Sequence, residues 1–156
     1  MSSQYQSAPQ APPGSYQSGP SGPRAGFWIR FGAYLLDGLI VGVPAFILVF
    51  VCALISSSLA VLAYVVVIVG AIAYYVYFAG GPKGATYGKQ ICGIKIIDFN
   101  GGGPIGYGRA FIRLLMQIVS GWILYLGYLW MLWDKEKQCW HDKAANDVVV
   151  PADAYR

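Results

Sequence analysis

The chain has 156 residues, of which 56% are apolar and only 12% charged, with a mean hydropathy of +0.50. A soluble domain carries about 25% charged residues, so an ordinary soluble fold is excluded. Eleven Lys and Arg against seven Asp and Glu give a net charge of +4, which fits either a nucleic-acid binder or the positive-inside bias of a membrane protein, and the placement of the charges decides between them.

Residues 1–26 differ from the rest. Pro, Gly, Ser and Gln make up 19 of the 26, Arg24 is the only charged side chain, and Leu, Ile, Val and Phe are absent. Such a segment cannot bury enough apolar surface to offset the entropy of ordering, so a disordered tail is predicted. Tyr5-Gln6-Ser7-Ala8-Pro9 is echoed once, at Tyr16-Gln17-Ser18-Gly19-Pro20, too few copies for a repeat architecture. A solubilising spacer accounts for this composition; a tyrosine-bearing recognition tail is the alternative. The apolar block that follows is longer than the roughly 7 to 15 residues of a signal-peptide core, so no secretory signal is read here.

Phe31 to Ile55 is a 25-residue apolar stretch with one charge, Asp37. At about 1.5 Å per residue it can cross a hydrocarbon core of about 30 Å. After Ser56-Ser57-Ser58 comes Leu59 to Phe78, twenty residues without a charge. Its β-branched content would favour a strand in water, but in lipid a helix satisfies its own backbone. The two segments are predicted to form a tight helical hairpin. Phe27, Trp28 and Phe31 at one end, with Tyr74, Tyr75, Tyr77 and Phe78 at the other, mark an aromatic belt on one membrane face.

Next, Gly93-Ile94-Lys95-Ile96-Ile97 followed by the Asn100-Gly101 turn reads as a β-hairpin. Asp147-Val148-Val149-Val150-Pro151 is a second short strand that needs a partner. Between them the third apolar region, Leu114 to Trp133, is interrupted by Gln117 and by Ser120-Gly121, and it follows an amphipathic turn bearing Arg109 and Arg113 four residues apart. Taken as one span over 110–133, it would put the basic carboxy-terminal residues across the membrane from the 79–109 loop. Taken as a re-entrant segment, or as two short helices broken at Ser120-Gly121, it leaves all eleven basic residues on one side, which the positive-inside bias favours. Pairing of the two strands would demand the same arrangement. The predicted fold class is therefore all-α transmembrane: a hairpin at 31–55 and 59–78, a third broken or re-entrant segment at 110–133, and a small cytoplasmic β-sheet. The membrane domain covers 27–151 between tails 1–26 and 152–156, sits in the cell (inner) membrane with the tail and main loop cytoplasmic, and owes its +4 to topology, not to nucleic acid.

Asp37 is the charge in the wrong solvent. It lies about 10 Å along the helix from Arg30, cannot snorkel, and an aspartate at a helix centre costs about 2.5 to 3.5 kcal/mol on insertion scales. It needs a partner, and Arg30, Arg113, Arg109 and Lys143 are the candidates. Two readings stand: an intramembrane ion or proton site, or a structural salt-bridge node. Gly38 and Gly42 form a GxxxG step read as helix packing within the monomer, with a dimer interface as the alternative, and Pro44 is expected to kink the helix. His141 beside Asp142 has no nucleophile at a recognisable spacing. Cys139 and His141 fall short of the four ligands of a structural zinc site. Cys52, Cys92 and Cys139 imply no disulfide framework. Gly84 to Gln90 misses a phosphate loop by one residue of glycine spacing and by Gln90 in place of Ser or Thr. No enzyme, metal or cofactor is expected.

Arg30 opening the first helix, Asp37 in its middle and Asp142 before the last strand together resemble the RDD family of small membrane proteins, named for one arginine and two aspartates. Thr86-Tyr87-Gly88-Lys89, Gly93 to Ile97, Arg109-Ala110-Phe111-Ile112-Arg113, His141-Asp142 and Val148-Val149-Val150 support the resemblance, which covers about Phe27 to Pro151. It implies a polytopic membrane protein in which Arg30, Asp37 and Asp142, with Arg113, form or flank one polar node. It also implies one of two roles: a scaffold or assembly factor with a structural node, or transport of a cation, proton or small solute through Asp37. The expected partners are the lipid bilayer and either a second copy or another membrane protein. A chain of this size with at most four crossings is small for a complete carrier, which favours the scaffold.

Overall fold

The computed structural model describes residues 22–123 and 126–154. The disorder predicted for the tail therefore falls, over residues 1–21, outside the described residues, as does the end of the carboxy-terminal tail at Tyr155 and Arg156.

Helices α1 (Phe27–Ile55) and α2 (Ser57–Gly80) are each long and apolar enough to cross a membrane. They begin before the predicted spans because aromatic and small residues extend the helical register into the interface. Ser56 alone separates them. Its backbone is extended (φ −163°, ψ 141°), its N–H donates to Cys52 O at 3.0 Å, and its carbonyl accepts from Ala60 N at 3.0 Å, so one residue ends one helix and starts the next. α1 continues as one helix across Pro44. At the open end of the hairpin Phe27 stacks on Phe31 within α1, and Tyr74 packs on Phe78 within α2 with Tyr87 against both.

Beyond the hairpin come α3 (Tyr87–Ile91), β1 (Ile94–Asp98), α4 (Tyr107–Trp122), α5 (Leu126–Leu129) running into a 3-10 turn at Trp130–Leu132, α6 (Trp140–Ala145) and β2 (Asp147–Pro151). The two strands form an antiparallel sheet with Ile96 opposite Val149 and Asp98 opposite Asp147. The period-2 alternation sorts their side chains. Ile94, Ile96 and Val149 join Ala33, Ala79, Ile105 and Ala110 in a core under the helices, while Ile97, Val148 and Val150 pack with Phe99 on the other face. The local hairpin expected at Asn100-Gly101 does not form. Gly101-Gly102-Gly103-Pro104 offers no side chain to pack and a proline without a donor, so this arm makes a tight turn closed by Asp98 N to Gly103 O at 2.7 Å and Gly102 N to Asp98 O at 3.0 Å, and the strand partner of β1 is the valine-rich strand some fifty residues on.

The third segment is broken, and the break comes later than the sequence suggested. Ser120 and Gly121 lie inside α4, and the helix ends at Ile123 (φ −94°, ψ 54°). α4 and the Leu126–Leu132 stretch are bent by 111°. Ser120 is fully buried and sits against Gly127, where an added Cβ would collide with the serine hydroxyl. The small side chain of Ser120 thus admits Gly127 where the chain folds back on α4. Sixteen residues give α4 a length of about 24 Å, short of the roughly 30 Å hydrocarbon core, and β1 and β2 bring both ends of the segment back to one sheet.

Both flanks of the third segment should therefore face the same side of the membrane. In a cysteine-replaced background, Lys83→Cys and Lys135→Cys, both at exposed positions, should react alike with an impermeant maleimide, in intact cells and in inverted vesicles. Labelling of one from outside while the other is protected would overturn the returning geometry.

Candidate functional site

Asp142 occupies the third position of α6, behind Cys139 as the capping residue. Its Oδ2 accepts from Cys139 N at 2.9 Å, the return half of a capping box. The same oxygen accepts from Arg30 Nη1 of α1 at 2.6 Å. Arg113 of α4 pairs with the other oxygen, Oδ1, and also with Asp147 of β2. Arg30 further reaches the Val149 carbonyl at 3.5 Å. All four side chains are buried or nearly so, and each comes from a different element, so the node ties α1, α4, α6 and β2 together. Gln138 donates to the Asp147 carbonyl at 2.8 Å, and Ala25 N to Val149 O at 2.9 Å. Just before α1, Arg24 pairs with Glu136 at 2.7 Å.

The electrostatics of the node follow from burial set against the two guanidiniums. Burial opposes ionisation of Asp142, but Arg113 and Arg30 outweigh it and hold the carboxyl well below the usual range. Asp147 has one guanidinium, shared with Asp142; burial, aided by the Asp142 charge, pushes it up to about 7. Burial pushes the His141 imidazole down to about 3, the nearby arginines adding to the effect, and the Cys139 thiol up to about 12. An imidazole so weakly basic beside a thiol so weakly acidic is poorly matched for a nucleophile-base pair. Cys139, His141 and Asp142 do place ligand atoms within 4.8 Å of one another, but a dication there would meet both guanidiniums that already hold Asp142, so the donor set does not suit a metal.

Asp37 is not part of this node. None of the four cations proposed for it is its partner: Arg30 and Arg113 are on Asp142, Arg109 pairs with Asp98, and Lys143 with Asp134. Asp37 is instead enclosed by α2 and by the loop into α3. Its Oδ1 accepts from Tyr74 OH at 3.0 Å and from Gly88 N at 2.8 Å. Its Oδ2 accepts from Thr86 Oγ1, with Lys89 Nζ 4.0 Å away. Tyr74 OH also accepts from Tyr87 N at 3.0 Å. Burial, together with the charge of Arg113, lowers the Lys89 ammonium to about 8. Gly88 is required by closeness: an added Cβ would strike the Ala33 carbonyl and lie 2.8 Å from Asp37 Cγ. The Thr86-Tyr87-Gly88-Lys89 run, which misses a phosphate loop and supports the RDD resemblance, is thus the clamp on Asp37. Gly38 and Gly42 do not pack within the monomer as the sequence suggested. Both are exposed and a Cβ on either meets nothing within 4 Å, because the face of α1 that contacts α2 and α3 is the one carrying Ala33 and Asp37.

Three outcomes follow. Gly88→Ala should lower the thermal midpoint in detergent sharply, whereas Gly38→Ala should stay within about 0.5 kcal/mol of wild type. Asp142→Asn leaves two buried guanidiniums without their shared carboxylate and should cost about 3 to 5 kcal/mol. For Asp147 the folded state holds the proton that the unfolded chain sheds, so its contribution to stability falls as pH rises from about 4 to about 7. Asp147→Asn should accordingly be more stable relative to wild type at pH 8 than at pH 4 by thermal denaturation.

Comparison with known proteins finds several relatives. The uncharacterized protein YxaI of Bacillus subtilis is 31% identical over 147 residues, covering 81% of this chain and 96% of its own length. The uncharacterized membrane protein YteJ of the same species is 30% identical over 142 residues, covering 85% and 84%. A proline-rich antigen homolog of Mycobacterium tuberculosis is 35% identical over 86 residues, 53% of this chain but only 36% of that longer protein. No solved structure matches. The model of the RDD family matches residues 24–146, a range that contains Arg30, Asp37, Arg113 and Asp142 as well as the Thr86 to Lys89 clamp, and the chain belongs to the RDD family of membrane proteins.

Proposed function

We propose that this RDD protein is a membrane scaffold or assembly factor whose buried charges hold its helices and sheet in place, and that it is neither an enzyme nor a carrier that uses Asp37 as an ion site. The observation that supports this is the saturation of Asp37. Both carboxylate oxygens already accept hydrogen bonds, from Tyr74, Thr86 and the Gly88 backbone, and the Lys89 ammonium stands 4.0 Å away. A cation site presents several oxygen lone pairs to its centre; here an N–H and an ammonium are turned toward the carboxylate. The sheet end is read as cytoplasmic, supported by the exposed Lys83, Lys135, Lys137 and Lys143 near it and the positive-inside bias. The work of the molecule then lies on its outer surfaces, in contact with lipid and with a second copy or another membrane protein.

Reconstitution into proteoliposomes tests the reading. Wild type should show no flux above empty liposomes under a sodium or proton gradient, and Asp37→Asn should lower the thermal midpoint. Wild-type flux that disappears in Asp37→Asn at matched folded protein would overturn the scaffold in favour of transport.

A further inference from the structure

Between the two charge nodes, at the level of the first two turns of α1, lies a cavity of about 190 Å³. Three cations line it, one from each of three elements: Arg30 of α1, Lys89 of α3 and Arg113 of α4. Their acid partners do not. Asp37, Asp142 and Asp147 are not among its lining residues. The rest of the wall is chiefly apolar, with Phe27, Phe31, Leu129 and Met131 among its residues. Two lining side chains also hold buried nitrogens with no hydrogen-bond partner among the described residues, Arg30 Nε and His141 Nδ1. Burial is deep: Arg113 and His141 are each 3% exposed.

Three cationic side chains in an otherwise chiefly apolar lining fit an anion carried on a hydrocarbon. The volume is below the roughly 300 to 1,000 Å³ of a pocket that encloses a drug-sized ligand, so it takes one end of a longer molecule. The aromatic residues at the start of α1 and the end of α2 place it at headgroup depth. Basic pockets between membrane helices are suited to anionic headgroups.

We propose that this cavity binds the phosphate and adjoining glycerol of an anionic phospholipid, with Arg30, Lys89 and Arg113 facing the phosphate and the acyl chains leaving along α1 and α4. The lowered ammonium of Lys89, which burial and the charge of Arg113 both oppose, agrees with an unfilled need for negative charge. The site stands apart from the scaffold reading, since a bound lipid is compatible with either role.

Native mass spectrometry of the delipidated protein in neutral detergent tests it, with phosphatidylglycerol and phosphatidylcholine of the same chains added in equal amounts. The phosphatidylglycerol adduct should exceed the phosphatidylcholine adduct about tenfold. Two variants should remove that preference: Lys89→Gln, which deletes one cation, and Gln117→Trp, which fills the cavity without touching a charge. Circular dichroism identifies whichever variant remains folded, and that variant decides. Equal adducts in wild type, or an undiminished preference in a folded variant, would overturn the site. Inorganic phosphate raising the thermal midpoint as much as phosphatidylglycerol would show a free-anion site and overturn the lipid.

Discussion

The carboxylate of Asp142, shared between Arg30 and Arg113, is the interaction on which the remaining structure depends. In lipid there is no hydrophobic drive to bring one apolar helix against another, since acyl chains are as apolar as leucine. The α1–α2 hairpin is joined by its one-residue turn, and its apolar share in the common core is only a few small residues such as Ala33 and Ala79. The Arg30–Asp142 and Arg113–Asp142 pairs supply specificity. An uncompensated buried charge is far more costly than a lost apolar contact, so arrangements that separate any of the three are excluded. The placement of α6 and of β2 against α1 and α4 follows.

Asp37 performs the same task for the loop between α2 and β1. Its three hydrogen bonds draw Thr86 and Gly88 down onto α1, and the close approach is possible only because Gly88 has no side chain. With α3 fixed there, Gly84 can accept from Ile96 N at 2.7 Å, which sets the start of β1. A similar approach of Gly80 to the Gly106 backbone, where a Cβ would lie 2.8 Å away, positions α2 against the start of α4. Two aspartates and a few glycines thus convert an unspecific hairpin into a defined fold. This explains why a chain so poor in charge places nearly all of its acids where they bind a cation.

Much of this was legible in the sequence, and the boundary is physical. Spans and strands declare themselves locally, through runs of apolar residues and a period of two, so the hairpin, the broken third segment and the strand at Asp147 were readable. So was the need of Asp37 for a partner. The identity of that partner was not, because Arg30 shares its helical face two turns away while Thr86 and Gly88 approach from a loop about fifty residues on. The Asn100-Gly101 turn misled for a related reason: turn chemistry specifies a reversal, but whether a strand follows depends on what the returning arm can pack. Ser120-Gly121 looked like a break because small polar residues weaken a helix; in the folded chain the same smallness admits Gly127.

The basic surplus can now be located. Among the described residues, six acids, Asp37, Asp98, Asp134, Glu136, Asp142 and Asp147, stand in ion pairs with six bases, Lys89, Arg109, Lys143, Arg24, Arg30 and Arg113. These sets cancel, so the buried nodes add nothing to the net charge. Setting these pairs aside, five bases and one acid, Asp153, leave the net +4 of the chain. Lys83, Lys135 and Lys137 are exposed in the connections on the sheet side of the helices. Among the described residues, the buried pairs of the Asp142 node are balanced in number. The cavity gathers three of these paired cations, Arg30, Lys89 and Arg113, while their acid partners are not among its lining residues.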